Sequence, residues 1–181
     1  MMATSTTALV TLEEFRQMED PPGFRLELHN GEVVRMTWPK QKHVKIQKRL
    51  TSIFAEAFGS LGDAAYEVGF RPHSEHELRI ADVAWTKIER YDAIPDDDNL
   101  IGSPEIVVEI LSPSNTVSEM IEKRELCLET GCQEFWLVDP KKRLIEVTLM
   151  NGVRHVYRGS DHVPVGQANY SVDDILGNKR L

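Results

Sequence analysis

The amino-acid sequence predicts an α/β protein with a mixed central β-sheet flanked by helices. Short segments in which apolar and polar residues alternate predict strands, and longer segments with apolar residues three and four positions apart predict helices. The predicted order is helix, hairpin, helix, strands, helix and strands, which departs from a regular strand–helix repeat. This order indicates a sheet that contains both parallel and antiparallel pairs.

The N-terminal part of the chain contains a helix, a hairpin and a second helix. Thr11 and Glu14 have the spacing of a capping box, which predicts a helix that runs to about Asp20. Asn30-Gly31 separates two alternating segments and predicts a tight hairpin turn. The second helix has one face of apolar residues at helical spacing: Ile46, Leu50, Ile53, Phe54, Ala57 and Phe58.

The C-terminal part is richer in strands. Strands are expected over 65–71 and 78–85, followed by an acidic loop through 96–98. The segment 106–111 is almost wholly apolar, which is typical of a central strand buried on both faces. The remaining predicted elements are a helix over 116–130, strands over 134–138, 143–150 and 153–158, and a short last helix that begins after Ser171.

The composition limits the classes of protein to which this chain can belong. Its 41% hydrophobic and 28% charged residues are typical of a globular protein. No apolar run approaches the ~18 residues of a membrane span, and residues 1–10 lack the pattern of a signal peptide. Cys127 and Cys132 form neither a CxxC motif nor a disulfide framework. We therefore expect a cytoplasmic protein that does not interact with membranes.

Charge is distributed unevenly along the chain. The excess of 29 acidic over 21 basic residues gives a net charge of −8, which argues against a surface covered with basic residues for nucleic acid. The segment 33–55 nevertheless contains six basic residues and no acidic one. This segment could face phosphate while the rest of the surface repels it. Its candidate nucleic-acid contacts are Lys40, Lys42, His43, Lys45 and Arg49.

Glu109 is the most anomalous residue, because it interrupts the apolar segment 106–111. A buried carboxylate is costly unless it is paired or bound to a cation. One interpretation places Glu109 at an exposed edge or in an ion pair with an arginine. Its apolar neighbours favour a functional acid, since runs of this kind usually belong to central strands.

Asp82 is a second acid in an apolar segment, and it alternates in phase with Ile80 and Ala84. Asp82 and Glu109 would be inward acids on successive strands. They could converge on one hard cation such as Mg²⁺, which takes oxygen ligands. For Asp82 taken alone, a solvated side chain near a strand end is an equal alternative.

Three further residues are weaker candidates. Lys123 follows Glu109 on the next predicted helix, where a lysine can orient water or offset phosphate charge, but a surface lysine paired with Glu119 is the common alternative. Glu27 lies on the polar face of the predicted hairpin, where a surface residue needs no function. His43 could contact phosphate, neighbour a metal ion or cap the basic helix.

These candidates occur within motifs that resemble the Uma-type restriction endonuclease family. The matching stretches include ELHNG at 27–31 and IADV at 80–83, and the most specific is SPEIVVEILSPS at 103–114. Lys123-Arg124 and GCQEFWLVDP at 131–140 follow in the same order as in that family. The resemblance covers about 11–177, which implies one restriction-endonuclease-like domain over 11–177 between short tails at 1–10 and 178–181.

The resemblance also implies a set of site residues. The family belongs to the PD-(D/E)XK nuclease superfamily, in which Asp82 and Glu109 would bind the metal ion and Glu27 would be an additional acid. The usual motif has its lysine two residues after the glutamate, where this chain has Leu111. Lys123 would therefore be the catalytic lysine, moved from the sheet to the following helix. The implied cofactor is Mg²⁺ or Mn²⁺.

The leading hypothesis is a Mg²⁺-dependent endonuclease that hydrolyses phosphodiester bonds of DNA and contacts the DNA through its local basic segment. The alternative is a catalytically silent binding or assembly module with a nuclease fold, which the acidic net charge and the lack of a separate recognition domain favour. A homodimer is expected for an enzyme that cuts both strands, because two active sites are needed and two-fold pairing is the commonest oligomer.

Overall fold

The computed structural model of the protein describes residues 9–73, 75–113 and 115–177. These residues form five helices, at Leu12–Arg16 (α1), Gln41–Phe58 (α2), Ile88–Tyr91 (α3), Val117–Glu129 (α4) and Val172–Leu176 (α5). They also form eleven strands, at Phe24–His29 (β1), Glu32–Thr37 (β2), Gly62–Arg71 (β3), Arg79–Lys87 (β4), Leu100–Ile101 (β5), Ile106–Ile110 (β6), Glu134–Asp139 (β7), Leu144–Leu149 (β8), Arg154–Arg158 (β9), His162–Val165 (β10) and Ala168–Ser171 (β11). None of the described helices is long and apolar enough to cross a membrane.

Seven of the strands form one mixed sheet in the order β5-β3-β4-β6-β7-β8-β9. β6 pairs with β7 in parallel, as β3 does with β5, and the other neighbours pair antiparallel. The helix α4 connects β6 to β7, because parallel neighbours need a crossover connection. A mixed sheet flanked by helices confirms the predicted fold class.

Helices cover both faces of the central strands. Val83 and Val108 belong to a buried cluster that includes residues of α2 and α5. Ala84 and Val107, their neighbours in sequence, belong to a second cluster that includes Cys127 of α4. Successive side chains of a strand point to opposite faces. Both faces of β6 are covered, and this explains why its sequence is apolar throughout and does not alternate with polar residues.

An isolated backbone bridge attaches the N-terminal hairpin to the segment that leads into β4. β1 and β2 pair antiparallel around Asn30 and Gly31, whose positive φ angles of 47° and 79° suit the tight turn that the sequence predicts. Leu28 and Leu78 exchange two backbone hydrogen bonds of 3.0 and 2.9 Å, just before β4 begins. This bridge places the residues of β1 next to Leu28, including Glu27, close to β4.

The first helix is shorter than predicted. α1 has the predicted capping box between Thr11 and Glu14, but it ends at Arg16 instead of near Asp20. Pro21 follows Asp20 and disfavours helical backbone at the residue before it. The carboxylate of Asp20 accepts a hydrogen bond of 2.8 Å from the N–H of Leu26, so this segment supports the hairpin instead of extending the helix.

Four short elements were not predicted: α3, β5, β10 and β11. β10 and β11 have four residues each, and β10 contains Pro164, which weakens a strand pattern. Val163 and Val165 are buried against the cluster beneath α2, so tertiary packing accounts for this hairpin. β5 has two residues and pairs with the end of β3.

The predicted tails lie mostly outside the described residues, which exclude 1–8 and 178–181. Val10, within the predicted N-terminal tail, donates a backbone hydrogen bond of 2.9 Å to the carbonyl of Gly31. The predicted boundaries of the single domain stay predictions.

Packing of α2 on the sheet predicts a large effect of one leucine. Leu50 is fully buried in the α2 cluster, whereas Leu61 is 64% exposed. Leu50→Ala should lower the free energy of unfolding by about 2–5 kcal/mol, because it removes buried apolar contacts and leaves a cavity. The matched control Leu61→Ala should change it by less than about 0.5 kcal/mol. Urea unfolding followed by circular dichroism measures both, and equal effects would contradict the described packing.

Candidate functional site

The four residues Glu27, Asp82, Glu109 and Lys123 lie in one buried region where β1, β4, β6 and α4 meet. Each of them exposes 6% of its surface or less. Val83 of β4 pairs with Val108 of β6, so the same register one step further places Asp82 beside Glu109. The alternative interpretations of Glu27, Asp82 and Lys123 as solvated surface residues are therefore wrong.

Glu109 and Lys123 form a buried ion pair. The Lys123 Nζ lies 2.8 Å from the Glu109 Oε1 and donates a second hydrogen bond of 2.8 Å to the carbonyl of Ile80. α4 begins with a capping box in which the Glu119 carboxylate accepts from the N–H of Thr116. Because Glu119 is used in this cap, it does not compete for Lys123. The lysine instead joins α4 to the two central strands.

Asp82 is held from two sides. Its Oδ2 accepts a hydrogen bond of 2.7 Å from the backbone N–H of Ile110 on β6. Its Oδ1 lies 2.9 Å from the Nε2 of His43 and 3.3 Å from the Nε2 of Gln47. His43 and Gln47 are four residues apart, so they project from the same face of α2. Of the roles predicted for His43, a place beside Asp82, itself a predicted metal ligand, agrees with this contact.

Glu27 lies inside the protein although it belongs to the polar face of its hairpin. Arg25, Glu27 and His29 alternate along β1 and share that face. The His29 Nε2 is 3.0 Å from the Glu27 Oε2, and the Arg25 Nη2 is 3.8 Å from its Oε1. The attachment of Leu28 to Leu78 turns this polar face toward β4, because it fixes β1 beside the main sheet.

Sequence reasoning missed Glu67 and Gln47. Glu67 of β3 contacts the Gln47 amide and the Arg25 guanidinium. By the register of β3 and β4, Glu67 also faces Asp82. The sequence contained a signal for Gln47, because it is a polar residue on the apolar face of α2 that also carries Leu50. No comparable signal existed for Glu67, whose position depends on strand register.

Burial and charge shift the pKa values of the central groups. Burial raises the pKa of Glu109 to about 8, while Lys123 partly lowers it and the Asp82 carboxylate adds to the increase. Burial opposes the charge of Lys123, but Glu109 and Glu27 outweigh this effect and raise its pKa. Burial also opposes the charge of Glu27, but Lys123 and His29 lower its pKa. Lys123 is therefore a lasting cation, and burial makes the charged form of Glu109 less favourable than that of an exposed glutamate.

The donor set fits a hard divalent cation. Glu27, Asp82 and Glu109 supply carboxylate oxygens, which Mg²⁺ and Mn²⁺ prefer. The Glu27 Oε1 is buried without a hydrogen-bond partner among the described residues. Among the residues that the structure describes, no three His, Cys, Asp or Glu side chains are close enough together to hold a metal ion without rearrangement. Protein donors hold these acids, since Glu109 contacts Lys123 and Asp82 accepts from the backbone.

Some candidate nucleic-acid contacts of the basic segment are exposed, and others make contacts within the protein. Lys40, Lys42 and Lys45 are exposed and lie at or near the N-terminal end of the helix. His43 points inward to Asp82 as described above. The Arg49 Nη1 donates a hydrogen bond of 2.9 Å to the carbonyl of Ile175 in α5, so this arginine joins two helices.

Comparison with known proteins gives a family match, matches to solved structures and no match among curated proteins. A family model with the description "Uma2: Putative restriction endonuclease" matches residues 12–168. Among curated proteins there is no match.

One matching solved structure is a crystal structure of "a putative nuclease belonging to DUF820 from Anabaena variabilis ATCC 29413". It has a TM-score of 0.78 and 21% sequence identity, and the match covers 92% of this chain and 97% of that chain. At this identity the likeness shows a common fold. Since the family model spans most of the sequence and includes all four predicted site residues, the chain belongs to the Uma2 family.

Proposed function

We propose that this protein is a nuclease that uses Mg²⁺ or Mn²⁺ to hydrolyse phosphodiester bonds of DNA. The observation that carries the proposal is the buried pair of Glu109 and Lys123 beside Asp82. Burying three ionisable groups together is costly for folding, so their concentration at one point favours a chemical role. Membership of a family described as restriction endonucleases supports hydrolysis of nucleic acid as that role.

Asp82 and Glu109 are the proposed metal ligands, and Glu27 is the additional acid. A bound Mg²⁺ or Mn²⁺ supplies a Lewis acid for the phosphoryl oxygen and lowers the pKa of a bound water. Burial raises the pKa of Glu109, which means that its carboxylate needs a compensating positive charge. The cation would take the place of a proton there. The Glu27 Oε1, which has no hydrogen-bond partner among the described residues, is a further carboxylate oxygen close enough to influence Glu109 by its charge.

Lys123 has the properties of a group that stabilises negative charge. Its raised pKa keeps it protonated, so it donates hydrogen bonds and does not accept a proton. An ammonium group at this position would offset charge on the phosphate and orient the attacking water. Glu27 and the Ile80 carbonyl keep Lys123 in place, the first by its charge and the second by a hydrogen bond.

The exposed lysines of α2 are the proposed contacts for the DNA backbone. Lys40, Lys42 and Lys45 lie at the end of the helix that also carries His43 to the site. A local positive flank allows phosphate binding although the net charge of the chain is −8. A homodimer would place two such sites on one duplex.

A binding or assembly module without cleavage is the second candidate. The acidic net charge favours it, because most of the surface repels DNA. The two candidates differ in whether a phosphodiester bond is broken, so cleavage assays separate them.

Cleavage of supercoiled plasmid tests the proposed activity. The wild-type protein should nick or linearise the plasmid in Mg²⁺ or Mn²⁺. Glu109→Gln should slow this by about 100-fold or more, because it removes a charged ligand of the metal ion. Glu125→Gln, on the exposed face of α4, is the matched control and should cut at the wild-type rate. Salt-dependent DNA binding by wild type without cleavage in either metal would favour the binding module.

The pH dependence of metal binding tests the role of Glu109. Mn²⁺ must displace the proton that Glu109 holds below its pKa of about 8. The dissociation constant for Mn²⁺ should therefore fall about tenfold per pH unit up to that pKa and level off above it. Isothermal titration calorimetry in buffers of different ionisation enthalpy measures the constant and the released proton. Glu109→Gln should bind weakly without this pH dependence, and an unchanged slope in that variant would contradict the assignment.

The metal-free protein should show the opposite dependence in its stability. A carboxyl group whose folded pKa is raised stabilises the fold while it is protonated, and this contribution is lost as the pH rises through about 8. The melting temperature without metal should fall from the ordinary glutamate pKa of 4.5 up to about 8 and then level off, and Mn²⁺ should restore it most strongly at the alkaline end of this range.

The basic flank should determine the salt dependence of DNA binding. The double variant Lys42→Ala/Lys45→Ala should lower the slope of log Kd against log salt by about 2, since each phosphate contact contributes about one unit. Lys141→Ala/Lys142→Ala removes two exposed lysines of the turn between β7 and β8 and is the matched control. Fluorescence anisotropy without divalent metal measures the slopes, and equal slopes for the two doubles would place the DNA elsewhere.

A further inference from the structure

Glu67 has an unusual backbone conformation in the middle of a strand. Its φ angle is +56°, a left-handed value that side chains other than Asn, Asp and Gly rarely adopt. The other non-glycine residues with positive φ among those described, Asn30 and Arg143, lie in turns. Backbone strain of this kind persists where the surrounding structure imposes it, and it concentrates at functional sites.

The position of Glu67 adds a second unfavourable feature. Tyr66 pairs with Val83 and Val68 pairs with Ala81, so the register places Glu67 directly opposite Asp82. Like charges opposite each other in an antiparallel pair destabilise a sheet. Packing of β3 alone therefore does not account for a glutamate at this position.

The Gln47 side chain lies between the two acids. Its Nε2 donates to the Glu67 Oε1 and lies 3.3 Å from the Asp82 Oδ1. Gln47 is fully buried, and its Oε1 has no hydrogen-bond partner among the residues of the structure that are described. One amide group thus faces both carboxylates with its donor end and limits their repulsion.

Arg25 holds the other side of Glu67. Its Nη1 contacts the Glu67 Oε2, and its Nη2 lies 3.8 Å from the Glu27 Oε1. Glu67 is 22% exposed in its side chain, so it lies at the rim of the buried site. Through these contacts Glu67 joins the hairpin of β1 to the side of Asp82 that faces α2.

We propose that Glu67 is a positioning residue that orients Asp82 through Gln47. The Glu67 carboxylate holds the Gln47 amide, the amide and the His43 Nε2 together hold the Asp82 Oδ1, and the Ile110 N–H holds its Oδ2. Outer contacts of this kind orient metal ligands and tune their affinity. The proposal rests on the proposed metal-dependent function for its consequence, but the positioning contact itself is measurable without metal.

Glu67→Gly is the most informative variant, because glycine adopts the positive φ freely while the carboxylate is lost. The metal-free melting temperature should stay at or above that of wild type. The Ile110 amide proton should move upfield in a ¹H–¹⁵N NMR spectrum, because Asp82 is no longer held in the orientation that accepts from it. The dissociation constant for Mn²⁺, measured by EPR of the free ion, should rise about 10–100-fold.

Two further variants separate positioning through Gln47 from a direct role. Gln47→Met should reproduce the Ile110 shift and the loss of Mn²⁺ affinity, and the double variant with Glu67→Gly should be no worse than either single one. Asp63→Asn, on the same strand away from the site, is the control and should match wild type in both measurements. Glu67→Asn, which also tolerates positive φ, replaces the glycine variant if that protein does not fold.

The outcomes distinguish this proposal from the proposed function. An unchanged Ile110 resonance and an unchanged Mn²⁺ dissociation constant in Glu67→Gly would overturn the positioning role. Additive losses in the double variant would also overturn it, since they would show that Glu67 acts without Gln47. If Ile110 shifts but wild type binds no Mn²⁺, the positioning contact stands and the proposed metal-dependent function fails.

Discussion

Repulsion among carboxylates is the constraint on which the centre of this protein depends. Glu67, Asp82 and Glu109 lie side by side on three neighbouring strands, and Glu27 approaches from the hairpin. In a buried region of low polarity such charges interact strongly, because little water is present to screen them. The fold is stable only because donors and cations reach each of these acids.

The neutralising groups come from every layer of the fold. α4 supplies Lys123, α2 supplies the amide of Gln47, the N-terminal hairpin supplies Arg25, and β6 supplies the backbone N–H of Ile110. Each group contacts an acid on an element of the fold other than its own. The site is therefore complete only when the sheet, both helices and the hairpin are in place, which couples its geometry to the whole domain.

The distribution of charge is compatible with the proposed action of an acidic chain on DNA. Glu27, Asp82 and Glu109 are buried at the site, where a divalent cation is the proposed counter-ion. The positive charge of Lys40, Lys42 and Lys45 is concentrated on the exposed end of α2. The same helix carries His43 to Asp82. One helix thus links the proposed contact with the phosphate backbone to the proposed site of hydrolysis.

The resemblance to a family supplied Glu27 and Lys123 as predicted site residues. The class of fold, the longer helices and strands, and the inward acids Asp82 and Glu109 were predicted from the residues themselves. These features follow from local information: apolar periodicity, capping and turn residues, and an acid within an apolar run such as Glu109. Tertiary structure alone decided that the polar face of β1 turns inward, that Arg49 joins α5, and that Glu67 faces Asp82. Strand register and the docking of a hairpin depend on contacts between distant segments, and no local pattern encodes them.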